Sequence, residues 1–127
     1  MNPTSKTTHE SRARVTIFHN PRCSKSRGAL QMLRDRGLEP TVIEYLQEPP
    51  DAKTLDHLLT LLGIEPRDAM RKQEKEYKEL KLDDPKLTRR QLVAAMAEHP
   101  ILIERPIVVR GDKAVIARPP ERVEEIL

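Results

Sequence analysis

The chain of 127 residues has one cysteine, Cys23, and no tryptophan. A lone cysteine rules out an internal disulfide and a Cys-rich zinc cluster. It also points to a reducing compartment, read here as the cytoplasm. Aromatic residues are confined to Phe18, Tyr45 and Tyr77. That is too few to offer stacking platforms for bases. No apolar run approaches the roughly 18 residues of a spanning helix, so no membrane association is expected. The N-terminal stretch has no apolar core of the kind a secretory signal requires. A large excess of one charge sign is lacking too: 23 basic and 20 acidic residues leave a net charge of +3. No dense basic patch or nucleic-acid-binding module is visible, and nucleic acid is excluded as the expected partner.

What remains is enough for one modest core, in keeping with a single domain. Residues 1–13 are polar and without periodicity, and read as a disordered tail. The domain is placed at 14–127. Val15-Thr16-Ile17-Phe18 reads as a short strand ended by His19-Asn20-Pro21. A helix follows from Ser24 to about Arg36, with Ala29, Leu30 and Leu33 as its apolar stripe and Gly37 as its stop. Residues 41–45, rich in β-formers, make a second strand. Strand, helix and strand joined by short loops favour a parallel pair with a right-handed crossover.

The middle of the chain reads as helical. Asp51 is the expected N-cap of a helix whose Leu55, Leu58, Leu59 and Leu62 share one face, and Gly63 closes it. Short helical pieces are expected over 66–82. Thr88 and Gln91 have the spacing of a capping box for a further helix carrying Leu92, Ala95 and Met96. Two apolar runs, 107–109 and 114–116, flank Gly111-Asp112, which signals a hairpin. Pro119-Pro120 open a last short helix through Ile126. The fold class is therefore α/β, a four-stranded mixed sheet with a helical insert.

Cys23 lies between strand and helix, where unpaired backbone N–H groups and a partial positive charge favour thiolate over thiol. A free thiol titrates near ~8.5, and such surroundings lower that value. Arg22, Lys25, Arg27 and His19 are close in sequence. The same N–H groups can cradle an oxyanion. A buried, inert cysteine is the competing reading for any single Cys. Spacing excludes two chemistries. Cys23 is followed by Arg27, which is Cys-x3-Arg, and position 29 is Ala, so the Cys-x5-Arg phosphate loop of low-molecular-weight tyrosine phosphatases is absent. Ser26 stands where a dithiol oxidoreductase has its second cysteine, so a redox cycle must use an outside thiol.

His19 either tunes Cys23 or holds its loop, or simply caps the strand. His9, His57 and His99 form no metal-ligand pattern, and no metal is expected. Arg71, Arg105 and Arg118 would ordinarily be solvated surface residues. Arg105 departs from that rule, because it lies in the largely apolar run 100–106 and so points to an anion or a buried carboxylate. For Arg105-Pro106 the peptide bond is expected trans on general grounds.

Taken together, His19-Asn20-Pro21-Arg22-Cys23-Ser24-Lys25-Ser26-Arg27, Tyr45-Leu46 with Pro49-Pro50, Met70-Arg71-Lys72, the run from His99 to Val109, and Ala117-Arg118-Pro119-Pro120 resemble the glutaredoxin-coupled arsenate reductases, in their bacterial arsenate reductase-like branch. The motifs follow that family's order over about residues 14–127. The resemblance implies a thioredoxin-like fold. It implies Cys23 as nucleophile, His19 as a helper in its activation, and Arg71, Arg105 and Arg118 as oxyanion-binding residues. It implies that Pro106 is the cis proline beside the active cysteine. It further implies arsenate as substrate, glutathione as co-substrate with no bound cofactor, and a glutaredoxin as partner. Two other functions compete. One is a thiol-stress adaptor that binds RNA polymerase, which is disfavoured by Ser26 in place of a second cysteine. The other is a general glutathione-dependent monothiol oxidoreductase, which has no use for three oxyanion-binding arginines.

Overall fold

A computed structural model describes residues 14–127. The tail expected over 1–13 lies outside the described residues. The chain divides into two compact units, one drawn from residues up to 44 together with 105–127, the other from 45–104.

The first unit holds the sheet. Strand β1 (Val15–His19) is rich in β-branched and aromatic side chains, and all but Thr16 are buried. Helix α1 (Ser24–Asp35) crosses over to strand β2 (Thr41–Glu44), which pairs with β1 in parallel. Strands β3 (Ile107–Arg110) and β4 (Lys113–Ile116) form the expected hairpin, and β3 runs antiparallel to β1. The strand order is β2-β1-β3-β4, the mixed four-stranded sheet of a thioredoxin-like fold. Gly111 takes a φ of +61° at the first turn position. That conformation is open to glycine and costly for a side chain with a Cβ.

The core of this unit lies where α1 meets the sheet. Val15, Ile17, Ala29, Leu33, Val108, Val115, Ala117 and Val123 are buried there in one cluster. The expected last helix is a 3-10 helix over Pro120–Ile126. Its three residues per turn bring Val123 and Ile126 onto one face, and both are buried. Gly28 lets this segment approach α1, since a Cβ there would stand 3.2 Å from Pro120 Cγ. Arg36 and Glu124 add an exposed ion pair between the same two elements.

Two boundaries differ from the sequence reading. The first strand includes His19, and the second stops at Glu44, leaving out Tyr45. The register explains both limits. Glu44 lies opposite His19, the last residue of β1, so Tyr45 has no β1 residue left to pair with.

The second unit is helical. Asp51 caps helix α2 (Ala52–Leu62) by accepting from Thr54 N–H at 2.8 Å. Gly63 ends it with a left-handed φ of +68°. A 3-10 turn (Pro66–Ala69), helix α3 (Lys75–Glu79) and helix α4 (Arg89–Glu98) follow. The Thr88/Gln91 capping box is formed in both directions. Leu55, Leu58 and Leu59 of α2, and Leu92, Val93 and Met96 of α4, are buried, while Leu62 and Ala95 are half-buried. Arg89 ties the two helices from outside, donating to the Asp56 carboxylate at 2.7 Å. A further 3-10 turn (Pro100–Leu102) leads to a short antiparallel bridge, Met70 with Ile103. Arg71 N–H donates to the Leu102 carbonyl at 2.7 Å and Glu104 N–H to Ala69 at 2.8 Å, framing that bridge. No helix among the described residues is long and apolar enough to cross a membrane.

Candidate active site at the start of helix α1

Cys23 is the N-cap residue of α1, with extended φ and ψ of −100° and 122°. Its carbonyl accepts the first helical bond, from Arg27 N–H at 2.9 Å. Its own N–H donates to the Asn20 carbonyl at 3.0 Å, which turns the chain out of β1. The Asn20 side-chain oxygen accepts Arg22 N–H at 3.0 Å. Arg27 reaches back from the first helical turn to donate to the Pro21 carbonyl at 2.9 Å. The loop 20–23 is thus held by its own backbone and by the helix it opens.

The sulfur is partly exposed. Partial burial is the largest single influence on its charge and works against the thiolate. The opposing influences together outweigh it: the Ser26 N–H, the Arg105 guanidinium, the Lys25 N–H and the Arg118 guanidinium. The thiol is left below its ordinary value. No capping hydrogen bond of ordinary geometry joins Cys23 to the helix, yet the Ser26 and Lys25 N–H groups lie where they favour a negative sulfur. Arg118 lies beside the thiol, with Nη1 at 3.8 Å from Sγ. The same nitrogen donates to the Arg105 carbonyl at 3.2 Å. Ala117 N–H donates to the Pro106 carbonyl at 2.9 Å, so the segments carrying the two arginines run side by side. The Arg105-Pro106 bond is cis, against the general preference for trans, and so is Arg118-Pro119.

His19, at the end of β1, is buried, and its Nδ1 lies 2.6 Å from Ser26 Oγ. Burial is the main reason its pKa falls below the ordinary histidine value; Glu44 opposes that effect, and Arg34 and Arg27 add to it. Arg71 belongs to the second unit, where it pairs with Glu74 at 2.8 Å. Of the residues singled out from sequence, the first unit brings Cys23, Arg105, Arg118 and Pro106 together, with His19 joined to the helix through Ser26. Among the described residues, no group of three His, Cys, Asp or Glu side chains could hold a metal ion.

Sequence reading missed the parts played by Ser26 and Asn20. Ser26 entered it only as an absent cysteine. That it is wholly buried and accepts Asn20 N–H at 3.0 Å depends on the packing of α1 against the end of β1. The Cys-x-x-Ser spacing was the one available signal.

A partly exposed thiol with a lowered pKa, facing two guanidinium groups, can attack an electrophilic centre in a small oxyanion and offset its charge. Comparison with known proteins gives this arrangement a family. The ArsC family model matches residues 18–126. The uncharacterized protein YfgD of Escherichia coli K12 is 53% identical over 114 residues, covering 89% of this chain and 96% of that protein. An arsenate reductase of Neisseria meningitidis is 47% identical over 114 residues, covering 89% and 97%. The solved structure of an arsenate reductase from Vibrio cholerae superposes with a TM-score of 0.88 at 52% identity, covering 90% of this chain and 98% of that one. With its Cys23 site on a thioredoxin-like sheet, and with relatives matched over nearly their full length, the chain belongs to the ArsC family.

Proposed function

We propose that the protein reduces arsenate to arsenite, with Cys23 as the nucleophile. The observation that carries this reading is the placement of Arg118 Nη1 3.8 Å from Cys23 Sγ, with Arg105 also acting on a thiol already inclined to ionise. Arsenate is a dianion near neutral pH, and a thiolate approaching it meets like charge. The two guanidinium groups and the N–H groups of the first helical turn offset that repulsion. Arg71 joins the oxyanion-binding set on the strength of the family resemblance. His19 serves the thiol from the end of β1, and Pro106 shapes the backbone beside it.

In the first step the Cys23 sulfur forms a bond to As(V), and one arsenate oxygen leaves as water after protonation. Glutathione then displaces a second oxygen in the same way. A glutaredoxin thiolate attacks the glutathionyl sulfur and forms a disulfide with it. The electron pair of the broken S–As bond stays on arsenic, which becomes As(III). Water cleaves the remaining S–As bond, releasing arsenite and the Cys23 thiolate. The single cysteine fits this use of outside thiols. The cytoplasm, with its glutathione pool, is the matching compartment.

The test is NADPH oxidation coupled through glutathione reductase, with glutathione, a glutaredoxin and arsenate. Cys23→Ser abolishes arsenate-dependent oxidation. Arg105→Ala lowers it by about 10²–10³-fold, the usual effect of losing one oxyanion donor. Activity on a glutathionylated peptide that survives Arg105→Ala, with no arsenate dependence in the parent, would move the assignment to a general monothiol oxidoreductase.

A further inference from the structure

We propose that Ser26 is a positioning residue for the thiol: its hydroxyl holds His19 with the imidazole proton on Nε2, and this clamp keeps the first turn of α1 aligned on the Cys23 sulfur. The inference rests on Cys23 being the working thiol.

Ser26 is 0% exposed. A serine hydroxyl has one hydrogen to give and two lone pairs to accept with. Asn20 N–H takes one lone pair, at 3.0 Å. His19 Nδ1 is 2.6 Å away, and either partner could supply the proton between them. Among the described residues, Ser26 Oγ has no third hydrogen-bond partner. If Nδ1 carried the proton, the buried hydroxyl hydrogen would have nowhere to go, and an unmade hydrogen bond in a buried place is costly. The hydroxyl therefore donates to Nδ1, and the neutral ring keeps its proton on Nε2. The burial of His19 favours the same neutral form.

One side chain thus ties the end of β1 to the third residue of α1. Ser26 Oγ fixes Asn20 N–H, and the Asn20 carbonyl fixes Cys23 N–H. The Ser26 backbone N–H itself favours the thiolate. Losing the hydroxyl leaves two buried groups without their partner and frees the turn to shift. The other charges around the two titrating groups stay in place: Arg105 and Arg118 at the sulfur, and Glu44, Arg34 and Arg27 around His19.

Two measurements on the full chain test this. Long-range ¹H–¹⁵N spectra of the histidine rings, with His19 assigned by comparison with His19→Gln, should show an unprotonated Nδ1 and a protonated Nε2 at neutral pH. Thiolate absorbance at 240 nm should titrate higher by about one pH unit in Ser26→Ala, the effect of one net hydrogen bond, and Ser26→Thr should recover most of the difference. A proton on His19 Nδ1 in the parent overturns the proposal. So does an unchanged thiol titration in folded Ser26→Ala. If that variant does not fold, the ring spectrum of the parent still decides. Both readouts are independent of arsenate, so their success beside a negative turnover assay would leave the clamp standing and remove the proposed substrate.

Discussion

The charge on Cys23 is decided by several small influences of opposite sign. Burial of the sulfur is the largest and opposes ionisation, yet two N–H groups and two arginines together prevail. A cation about 4 Å away is worth ~1 kcal/mol in water and ~4 kcal/mol at the effective dielectric of a protein surface. Arg118, half-buried at 3.8 Å, falls toward the lower end of that range. The rate of Cys23 alkylation by iodoacetamide should therefore rise with pH around a midpoint below that of free cysteine. In Arg118→Ala the midpoint should move up by about half to one pH unit. An unchanged midpoint would show that Arg118 does not act on the thiol.

At the scale of single elements, caps and turns follow local chemistry. Thr88 accepts from Gln91 N–H while Gln91 returns a bond to Thr88 N–H, so two otherwise unpaired groups at the start of α4 are satisfied. Thr88→Ala should lower stability by about 1 kcal/mol in urea denaturation, with the slope of the transition unchanged. α1 begins differently. Its N-cap is Cys23 rather than a residue whose side chain caps well, and its first turn holds no acidic residue. This helix start thus gives up the usual capping stabilisation and leaves its N–H groups facing the sulfur.

Across the molecule, stability depends on the core beneath the sheet and on the buried histidine at the end of β1. Leu33 is fully buried between α1 and the strands, and Leu33→Ala should cost about 2–5 kcal/mol in chemical denaturation. The pH dependence follows from His19. Its pKa is lowered in the folded chain, so below the unfolded value of 6.5 the unfolded state binds the extra proton. The stability contributed by neutral His19 is fully present above 6.5 and is lost as pH falls toward the lower folded value. Urea midpoints at pH 7.5 and 5.5 should show this loss in the parent and a smaller one in His19→Gln. Equal losses in both would exclude His19 as the source.

Local signals were sufficient for most of the secondary structure, because caps, left-handed glycines and apolar periodicity act over a few residues. Asp51, Gly63, Thr88 with Gln91, and Gly111 each occupy the place the chain order indicated. Cys23 was legible as well, since its position between strand and helix is itself a statement about charge. The family motifs carried Arg71, Arg105 and Arg118 as candidates, though nothing local set them apart from ordinary surface arginines except the apolar run around Arg105. Tertiary structure decided the rest. Cys23 and Arg118 stand 95 positions apart, with no local cue that Nη1 and sulfur meet at 3.8 Å; the pairing of β1, β3 and β4 brings them together. The end of β2 at Glu44 and the burial of Ser26 against His19 likewise depend on how β1 pairs with β2 and how α1 packs on the end of β1. Sequence determines the chemistry available at each position, and packing determines which of those groups share a low-dielectric space and can act on one another.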